Sequence, residues 1–367
     1  MKFPEDPLAP FIPGVSPYSL DPETKSRFLN SRLTALENHH RSGCAPYARL
    51  MDYWSERGGA ELESRLHLPV TLFKEYDLIS VDSDVTAVRS SSTTGSQFSR
   101  IYVDKKTKKR QALSAMRIFS DFIGPDKRPY MVFDTEKTVR VTGGMSARAA
   151  AVLSLSHFAS DFFFVLKEND MGALEVDFDA LASAIAQIGD TPFIAYGFTY
   201  ILFQAHKEIA RAIRSSFRAH PQTFLFHSGG WKKMVSLAVE KPVFNQSVAE
   251  VWGLGPENVV DFYGSVEQVG VPYPDCRHGY KHAPYWAEIV TRNADDMRPC
   301  ANGETGLVQL VNALPLSAPN HNVLTEDLGR VILDDGCPCG RRGKAFEFIG
   351  RAPKAEIRGC SDVGAAV

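Results

Sequence analysis

The chain has 367 residues, a formal net charge of -2 at pH 7 and 44% hydrophobic residues. This length predicts one large domain or two, with enough apolar material for a sizeable core. A net charge this small gives no reason to expect nucleic acid or a membrane as a partner. We find no apolar window of bilayer length and no signal peptide. We therefore expect a cytoplasmic protein whose six cysteines are thiols or metal ligands rather than disulfides.

The predicted elements begin with helices over 21–38, where Asp21 caps the first turn, and over 46–57, followed by an apolar loop or short strand at 68–76. Helices and strands then alternate. The helices are predicted over 108–123, 146–159, 177–188 and 200–218, and the strands over 130–133, 162–166, 193–196 and 223–226. This alternation predicts a parallel sheet whose ligands lie beyond the carboxyl ends of its strands.

A run of hydroxyl side chains, Ser90-Ser91-Ser92-Thr93-Thr94-Gly95-Ser96, lies between strands predicted at 85–88 and 97–103. Such a loop offers backbone N–H and side-chain O–H groups in one small concavity, and its glycine allows close approach of a ligand. The chemistry is that of a cradle for a polyphosphate. The alternative is a solvated Ser/Thr-rich loop without a ligand.

Three further segments are candidates for chemistry because of their chain positions. The segment 226–231, which contains Gly229 and Gly230, follows one predicted strand and opens a helix, and 261–267 follows another strand. The third, 325–330, lies in the β-rich last third of the chain. The sequence lacks G-x-x-x-x-G-K-[ST], G-x-G-x-x-G and G-x-S-x-G, which disfavours P-loop kinases, dinucleotide enzymes and α/β-hydrolases.

The Ser/Thr/Gly loop is followed in order by Tyr-Gly-x-x-Glu at 263–267, Thr-x-Asp-Leu-Gly at 325–329 and Gly-Arg at 350–351. This order resembles the adenylate-forming superfamily of acyl and aryl ligases. Within it the chain is most similar to the acyl-protein synthetases of bacterial bioluminescence (LuxE-type), with phenylacetate–CoA ligases second. The stretches that carry the similarity are LPVTLFKEYDLISV at 68–81, the hydroxyl run at 90–96, 261–270, and FIGRAPKAEIRGCS at 348–361.

The resemblance implies an α/β fold with parallel sheets flanked by helices and a smaller β-rich part. It predicts an N-terminal helical segment at 1–60, an adenylate-forming core at 61–350 that is β-rich from about residue 300, and a hinge-like tail at 351–367. Two departures are visible. Ser92 replaces a glycine of the usual loop, with Phe98-Ser99 where lysine is common. The mobile C-terminal domain of most superfamily members is expected to be absent.

The resemblance also implies roles in forming an acyl adenylate from ATP. Ser92, Thr93, Thr94, Gly95 and Ser96 would bind the phosphates, with Thr94 acting on the departing pyrophosphate. Glu267 would bind Mg²⁺, a cation that prefers oxygen ligands. The alternative for Glu267 is an exposed carboxylate at a helix start.

The nucleotide itself would contact residues from the other motifs. Tyr263 would lie against the adenine, with Gly264 allowing close approach, and Gly229 and Gly230 would border the adenine or acyl pocket. Asp327 would accept hydrogen bonds from the ribose hydroxyls; its alternative is a turn aspartate before Gly329. Arg351 would contact the ribose or the α-phosphate, or else form a surface ion pair.

Cys337-Pro338-Cys339 forms a tight Cys-x-Cys pair, and Cys276, His278 and His282 lie upstream. Thiolates and imidazoles are zinc ligands, and phenylacetate–CoA ligase-like proteins have a similar arrangement. We predict a structural zinc site of Cys276, His282, Cys337 and Cys339, in which His278 could replace His282. The alternative is a set of free cysteines in loops.

Cys360 matches the cysteine that takes the acyl group in LuxE-type proteins before delivery to a reductase partner. A tethered thiol needs no second substrate, because proximity makes its attack effectively unimolecular. The first functional interpretation is therefore an ATP-dependent ligase that loads an acyl group onto its own cysteine, and the resemblance implies that this group comes from a fatty acid. The alternatives are an acyl- or aryl-CoA ligase and a non-catalytic nucleotide-binding relative in a biosynthetic complex. An acyl-reductase or acyl-carrier protein is the expected partner.

Overall fold

The structure is a computed structural model that describes residues 2–55, 61–89, 98–140, 147–212 and 217–352. It has an α/β fold with two compact units. The described part of the first unit lies within residues 2–89, 98–121 and 263–352, and that of the second within 122–262. No helix among the described residues is long and apolar enough to cross a membrane.

Most helices were expected from the sequence periodicity. Among the described residues the α-helices are α1 (Pro22–Gly43), α2 (Ala45–Ser55), α3 (Leu72–Glu75), α4 (Lys105–Ile123), α5 (Ala147–Leu153), α6 (Phe178–Ile188), α7 (Thr199–Ala212) and α8 (Lys241–Val251). The cap predicted for α1 is confirmed, since the Asp21 carboxylate accepts a hydrogen bond from the Thr24 N–H at 2.9 Å.

The strands divide into one largely parallel and one largely antiparallel sheet, with two hairpins. They are β1 (Leu68–Pro69), β2 (Thr86–Arg89), β3 (Arg100–Val103), β4 (Arg128–Val132), β5 (Ala159–Phe164), β6 (Leu166–Glu168), β7 (Leu174–Val176), β8 (Ile194–Phe198), β9 (Phe224–Ser228), β10 (Val259–Tyr263), β11 (Tyr273–Pro274), β12 (Lys281–His282), β13 (Ala287–Arg292), β14 (Gly306–Asn312), β15 (Asn322–Leu333) and β16 (Ala345–Arg351).

The second unit contains the parallel sheet that the alternating pattern predicts. Its strand order is β10-β9-β8-β4-β5, and the pairs along this path are parallel. The inner strands of this sheet are buried on both sides, as β8 illustrates with five consecutive buried residues, whereas the edge strand β5 is partly exposed. Continuous burial explains why these segments are apolar throughout rather than alternating.

The first unit contains the antiparallel path β12-β16-β15-β14-β13, and β1 pairs with β15 in parallel. Its first strands, β12 and β13, precede residue 300, near which the sequence placed the start of the β-rich part. The segment boundaries predicted from the sequence stay a prediction. The hairpin predicted around the hydroxyl run is confirmed, since β2 and β3 pair antiparallel on either side of it.

Several local predictions were wrong. The segment 68–76 contains the short helix α3 after β1, and residues 217–218, which were predicted to be helical, are not. The helix predicted over 146–159 ends earlier, because α5 stops at Leu153 and a 3-10 turn at Ser156–Phe158 leads into β5. There the Ser154 and Ser156 hydroxyls donate to the carbonyls of Ala151 and Leu153, which competes with helix continuation. The turn considered for Asp327 is also absent, since this residue lies within strand β15, paired with Arg351 of β16.

Candidate active site

Glu267 lies just beyond the end of β10, on a 3-10 turn at Val266–Gln268, and its side chain is buried. The alternative considered from the sequence, in which Glu267 is an exposed carboxylate at a helix start, is therefore wrong. The hydroxyl of Ser99, also buried, lies within hydrogen-bonding reach of the Glu267 carboxyl. Burial raises the pKa of Glu267, although Ser99 favours its charged form. Ser99 closely follows the hydroxyl run in the chain. The base of that hairpin therefore lies next to Glu267.

Three buried amide side chains fix the backbone on which Glu267 is carried. The Asn320 amide donates to the Glu267 carbonyl at 2.6 Å, and the Gln268 amide donates to the Asn320 carbonyl at 2.6 Å. The Asn312 amide in turn donates to the Gln268 side-chain oxygen. These bonds join the turn to the antiparallel sheet, so the position of Glu267 is set by residues about 45 to 53 positions later in the chain.

Asp327 is buried and makes contact with two of the other predicted nucleotide residues. The Tyr263 hydroxyl donates to its Oδ2 at 2.8 Å, and the Arg351 Nε lies 3.6 Å from its Oδ1. Burial raises the pKa of Asp327, while Arg351 and the Tyr263 hydroxyl oppose that rise. The charge of Asp327 also helps raise the pKa of Glu267. One electrostatic cluster therefore contains Ser99, Glu267, Tyr263, Asp327 and Arg351, all in the first unit.

Arg351 has a second acidic neighbour besides Asp327. Its guanidinium lies 3.8 Å from the Glu326 carboxylate, which in turn is 3.9 Å from the Lys74 ammonium. The side chain of Arg351 is about one-third exposed, so these contacts leave part of its surface open to solvent. Gly264 is also open, since a Cβ there would meet no heavy atom beyond its chain neighbours within 4 Å.

In the second unit, polar side chains gather at the carboxyl ends of β8, β9 and β10. The Thr199 hydroxyl donates to the Ser228 carbonyl at 3.1 Å, and its oxygen lies 3.0 Å from Nδ1 of His227. Asp261 is the register partner of His227, with 3.6 Å between its Oδ1 and the same Nδ1. Gly229 and Gly230 follow directly with φ of 87° and 62°, a turn that favours glycine.

Some predicted site residues lie outside the described residues: Ser92, Thr93, Thr94, Gly95, Ser96 and Cys360. Sequence reasoning missed the roles of Ser99, Gln268, Asn312 and Asn320. Ser99 had been noted only as a departure from the usual loop. The amides carried no signal beyond the closeness of Gln268 to Glu267, because their contacts depend on which strands pair.

The predicted cysteine and histidine cluster is formed in the first unit. Cys276, His282, Cys337 and Cys339 each offer a ligand atom, and these atoms all lie within 4.8 Å of one another. The Cys276 and Cys337 sulfurs are 4.0 Å apart, and Cys339 Sγ lies 3.4 Å from His282 Nε2. His278, the alternative ligand, is exposed and outside the cluster.

These spacings fit a tetrahedral zinc ion. With Zn–S and Zn–N bonds of about 2.3 and 2.0 Å, two sulfurs lie about 3.8 Å apart and a sulfur and a nitrogen about 3.5 Å apart. Burial raises the pKa of Cys276, and that of Cys337 to about 12. Burial, with Arg341 and Lys25 nearby, lowers the pKa of His282 to about 4, so its imidazole is neutral. A buried dication would offset the cost of thiolate charge in this site.

The acyl-protein synthetase, LuxE family matches residues 9–366 of the chain. The chain belongs to this family. A similar protein is the long-chain-fatty-acid–luciferin-component ligase of Vibrio harveyi, 23% identical over 308 residues, or 80% of this chain and 75% of that protein. The Aliivibrio fischeri ligase of the same name is 26% identical over 165 residues, 45% of this chain and 42% of that protein.

Solved structures of a 2-hydroxyisobutyryl-CoA ligase share the fold of this LuxE-family chain. The open conformation, in complex with 2-HIB-AMP and CoA, is 14% identical with a TM-score of 0.65, covering 93% of this chain and 79% of that one. The thioesterification state gives 16% identity, a TM-score of 0.67, and coverage of 93% and 72%. The predicted adenylate-forming α/β fold is therefore confirmed.

Membership of the LuxE family also confirms that the chain is an enzyme. It is a ligase of the class that activates an acyl group with ATP and then transfers it.

Proposed function

We propose that this LuxE-family ligase converts a long-chain fatty acid to acyl-AMP and then transfers the acyl group to the thiol of Cys360. The observation that carries the proposal is the cluster that joins Ser99, Glu267, Tyr263, Asp327 and Arg351. It places two carboxylates, a phenol and a guanidinium beside the base of the hydroxyl-rich hairpin. These are groups suited to a divalent cation, a ribose diol and phosphate.

In the first step a carboxylate oxygen of the acid attacks the α-phosphorus of ATP. The new P–O bond forms as the bond to the β-phosphate breaks and pyrophosphate leaves. Thr93, Thr94, Gly95 and Ser96 hold the departing phosphates, and Asp327 accepts hydrogen bonds from the ribose. A bound Mg²⁺ would neutralise phosphate charge, and the Glu267 carboxylate would hold it. Arg351 balances the charge that develops near the α-phosphate.

In the second step the sulfur of Cys360 attacks the acyl carbon of acyl-AMP. A thioester C–S bond forms, the anhydride C–O bond breaks, and AMP leaves while the thiol proton passes to solvent. The similar proteins of Vibrio harveyi and Aliivibrio fischeri are long-chain-fatty-acid–luciferin-component ligases, which supports a long-chain fatty acid as the substrate. We place an acyl-reductase or acyl-carrier protein as partner and the cytoplasm as the compartment.

The test is ATP–pyrophosphate exchange across fatty acids of graded length, benzoates, phenylacetate and amino acids. We expect exchange with long-chain fatty acids, followed by a hydroxylamine-labile label on the protein when CoA is absent. Turnover that requires free CoA would replace this proposal with the acyl-CoA ligase alternative. Folded protein that catalyses no ATP–pyrophosphate exchange with any of these acids would contradict the proposed function.

We also propose a structural zinc ion held by Cys276, His282, Cys337 and Cys339. The proposed ligands join the loop between β15 and β16 to a chain segment 57 to 61 residues earlier, which supports a role in stability rather than catalysis. Arg341 connects this loop to Asp121 of α4. Its backbone nitrogen donates to Cys339 Sγ at 3.4 Å, and its Nε donates to the Asp121 carboxylate at 2.8 Å.

Purified protein is expected to contain close to one zinc ion per chain by elemental analysis. Cys337→Ser should lose this zinc and lower Tm by about 5 °C or more, because a closed zinc site contributes folding free energy. Cys300→Ser is the matched control, since Cys300 is partly buried but outside the cluster. If wild-type protein from cells grown in zinc-supplemented medium contains no zinc above background, the proposed zinc site is contradicted.

A further inference from the structure

Two buried histidines of the first unit stack face to face. His40 lies on α1 and His321 lies just before β15, and their ring centroids are 5.1 Å apart with 8° between planes. Neither side chain is more than 1% exposed. The Tyr47 ring packs edge-on against both histidines, at 5.9 Å from His40 and 5.8 Å from His321. The histidine stack therefore joins α1, α2 and the segment between β14 and β15.

The hydrogen bonds of this stack suit two neutral rings. Nδ1 of His40 lies 2.8 Å from the Ser80 hydroxyl, which can donate to a neutral imidazole, although the nearby Pro315 carbonyl favours the charged form of His40. Nε2 of His321 lies 3.4 Å from the Tyr47 hydroxyl, and its Nδ1 is buried without a hydrogen-bond partner among the described residues. An imidazolium carries a proton on both nitrogens, so protonation of His321 would bury a donor for which the described residues supply no acceptor.

The charged and titratable groups around the histidine stack also disfavour a positive charge on it. His39 of α1 lies 5.1 Å from the His40 ring, and the Arg65 guanidinium, itself paired with Glu37, acts on His321. Burial together with these neighbours lowers the pKa of His321 to about 3 and holds the pKa of His40 well below its usual value. Both imidazoles are therefore neutral at pH 7.

His321 is continuous in the chain with a residue that holds the turn of Glu267. Asn320, which precedes it, donates to the Glu267 carbonyl at 2.6 Å and accepts from the Gln268 amide at 2.6 Å. The His321 carbonyl accepts from the Asn312 N–H at 2.8 Å. The ring of His321 is thus held by α1 and α2, while the adjacent Asn320 side chain and carbonyl hold the Glu267 turn.

The same segment is joined to α1 by two further contacts. The Ser80 N–H donates to the Ser317 carbonyl at 2.8 Å, while the Ser80 hydroxyl contacts His40. Nε2 of His39 lies 2.8 Å from the Leu316 carbonyl. Residues 316–321 are therefore held against α1 at both ends by contacts of neighbouring histidines.

We propose that His40 and His321 are positioning residues for Glu267, and that their stack makes adenylation sensitive to acid. The role of Glu267 in this inference rests on the proposed function, in which its carboxylate binds Mg²⁺. The neutral stack holds residues 316–321, and so Asn320, against the Glu267 turn. In the closed segment both rings are neutral, whereas in an opened segment they titrate with the ordinary imidazole pKa of about 6.5. The segment is therefore held above that pH and is progressively released as the pH falls below it.

Hydrogen–deuterium exchange of the full chain tests the histidine stack without reference to activity. At pH 5.5 each histidine that must be neutral in the closed segment favours opening about 10-fold, so the pair favours it about 100-fold. We expect the protection of residues 264–268 and 313–322, corrected for intrinsic exchange rates, to fall by that factor between pH 7.5 and 5.5. In His321→Phe, which keeps a stacked ring that cannot titrate, the fall should be about 10-fold.

The magnesium dependence of ATP–pyrophosphate exchange tests the link from the stack to Glu267. His321→Ala removes the stack, and the apparent affinity for Mg²⁺ then falls with the fraction of chains that hold the turn in place. At pH 7.5 the MgCl₂ concentration for half-maximal exchange should rise about 10-fold in His321→Ala and stay within about twofold of wild type in His321→Phe. Saturating MgCl₂ should recover most of the His321→Ala rate. Acidification to pH 5.5 should raise this concentration more in wild type than in His321→Phe.

His206→Gln is the control for loss of a buried histidine. His206 is 2% exposed on α7 of the second unit, where its ring contacts the Leu202 carbonyl and the Trp252 N–H, and burial lowers its pKa to about 4. His206→Gln should leave the pH dependence of protection at 313–322 at the wild-type value. Peptides from β8 should keep their protection at pH 5.5 in all these proteins, which distinguishes local release from global unfolding.

The outcomes separate this inference from the proposed function. An equal loss of protection in wild type and His321→Phe, or an unchanged MgCl₂ requirement in folded His321→Ala, overturns the positioning role of the histidines. Wild-type protein that releases the segment in acid but catalyses no exchange with any acid overturns the proposed function and the link to Mg²⁺, while the acid release itself stands. If His321→Ala does not fold, the comparison of wild type with His321→Phe decides.

Discussion

Glu267→Gln is expected to slow acid-dependent ATP–pyrophosphate exchange by about 10²- to 10³-fold, since loss of a metal-binding carboxylate removes several kcal/mol of charge stabilisation. The amide keeps the size of the side chain but carries no charge to attract Mg²⁺. Raising the magnesium concentration should recover part of the lost rate. The measurement is the exchange rate with the preferred acid over a series of MgCl₂ concentrations.

The same change is expected to leave the fold at least as stable. Burial raises the pKa of Glu267, so the folded protein disfavours the charged carboxylate that magnesium binding needs. The backbone bonds from Asn320 to Glu267 and from Gln268 to Asn320 do not involve the carboxyl and should persist. A Tm equal to or above that of wild type, together with the lost activity, would identify a functional rather than structural residue.

Glu347→Gln is the matched control for this prediction. Glu347 lies on β16 in the same unit and pairs with Arg330 at 2.7 Å, outside the cluster around Glu267. The exchange rate of Glu347→Gln should stay within about twofold of the wild-type rate, because a partly exposed ion pair contributes little. Equal effects of the two substitutions would contradict the assignment of the magnesium ligand to Glu267.

Cys360→Ser is expected to abolish the hydroxylamine-labile acyl label while pyrophosphate exchange continues at close to the wild-type rate. A serine hydroxyl is a far weaker nucleophile toward the anhydride than a thiolate, and exchange does not require the second step. The measurement combines exchange with trapping of labelled acid on the protein. Cys360 lies outside the described residues, so the assignment depends on the sequence resemblance.

Cys300→Ser is expected to keep both activities and serves as the control for replacement of a cysteine. A label that survives in Cys360→Ser would move the acceptor to another group. Loss of exchange as well as label would place Cys360 in the first step, contrary to the proposal. Transfer to added CoA by Cys360→Ser at the wild-type rate would favour the acyl-CoA ligase alternative.

Local patterns in the sequence determined much of the fold and the identity of the ligase. Continuous apolar segments separated by helical periodicity predicted the buried parallel sheet, because these patterns depend only on neighbouring residues. The cap at Asp21, the hairpin around the hydroxyl run and the spacing of Cys337 and Cys339 were local in the same way. The order of the motifs was enough to indicate the LuxE family.

Only the tertiary structure decided which side chains meet. Ser99 reaches Glu267 across more than 160 residues, and Asn320 and Gln268 fix that turn through bonds that depend on strand pairing. The choice of His282 over His278 depended on which of two nearby histidines is folded inward. Such contacts follow from register and burial, which a linear sequence does not encode at any fixed spacing.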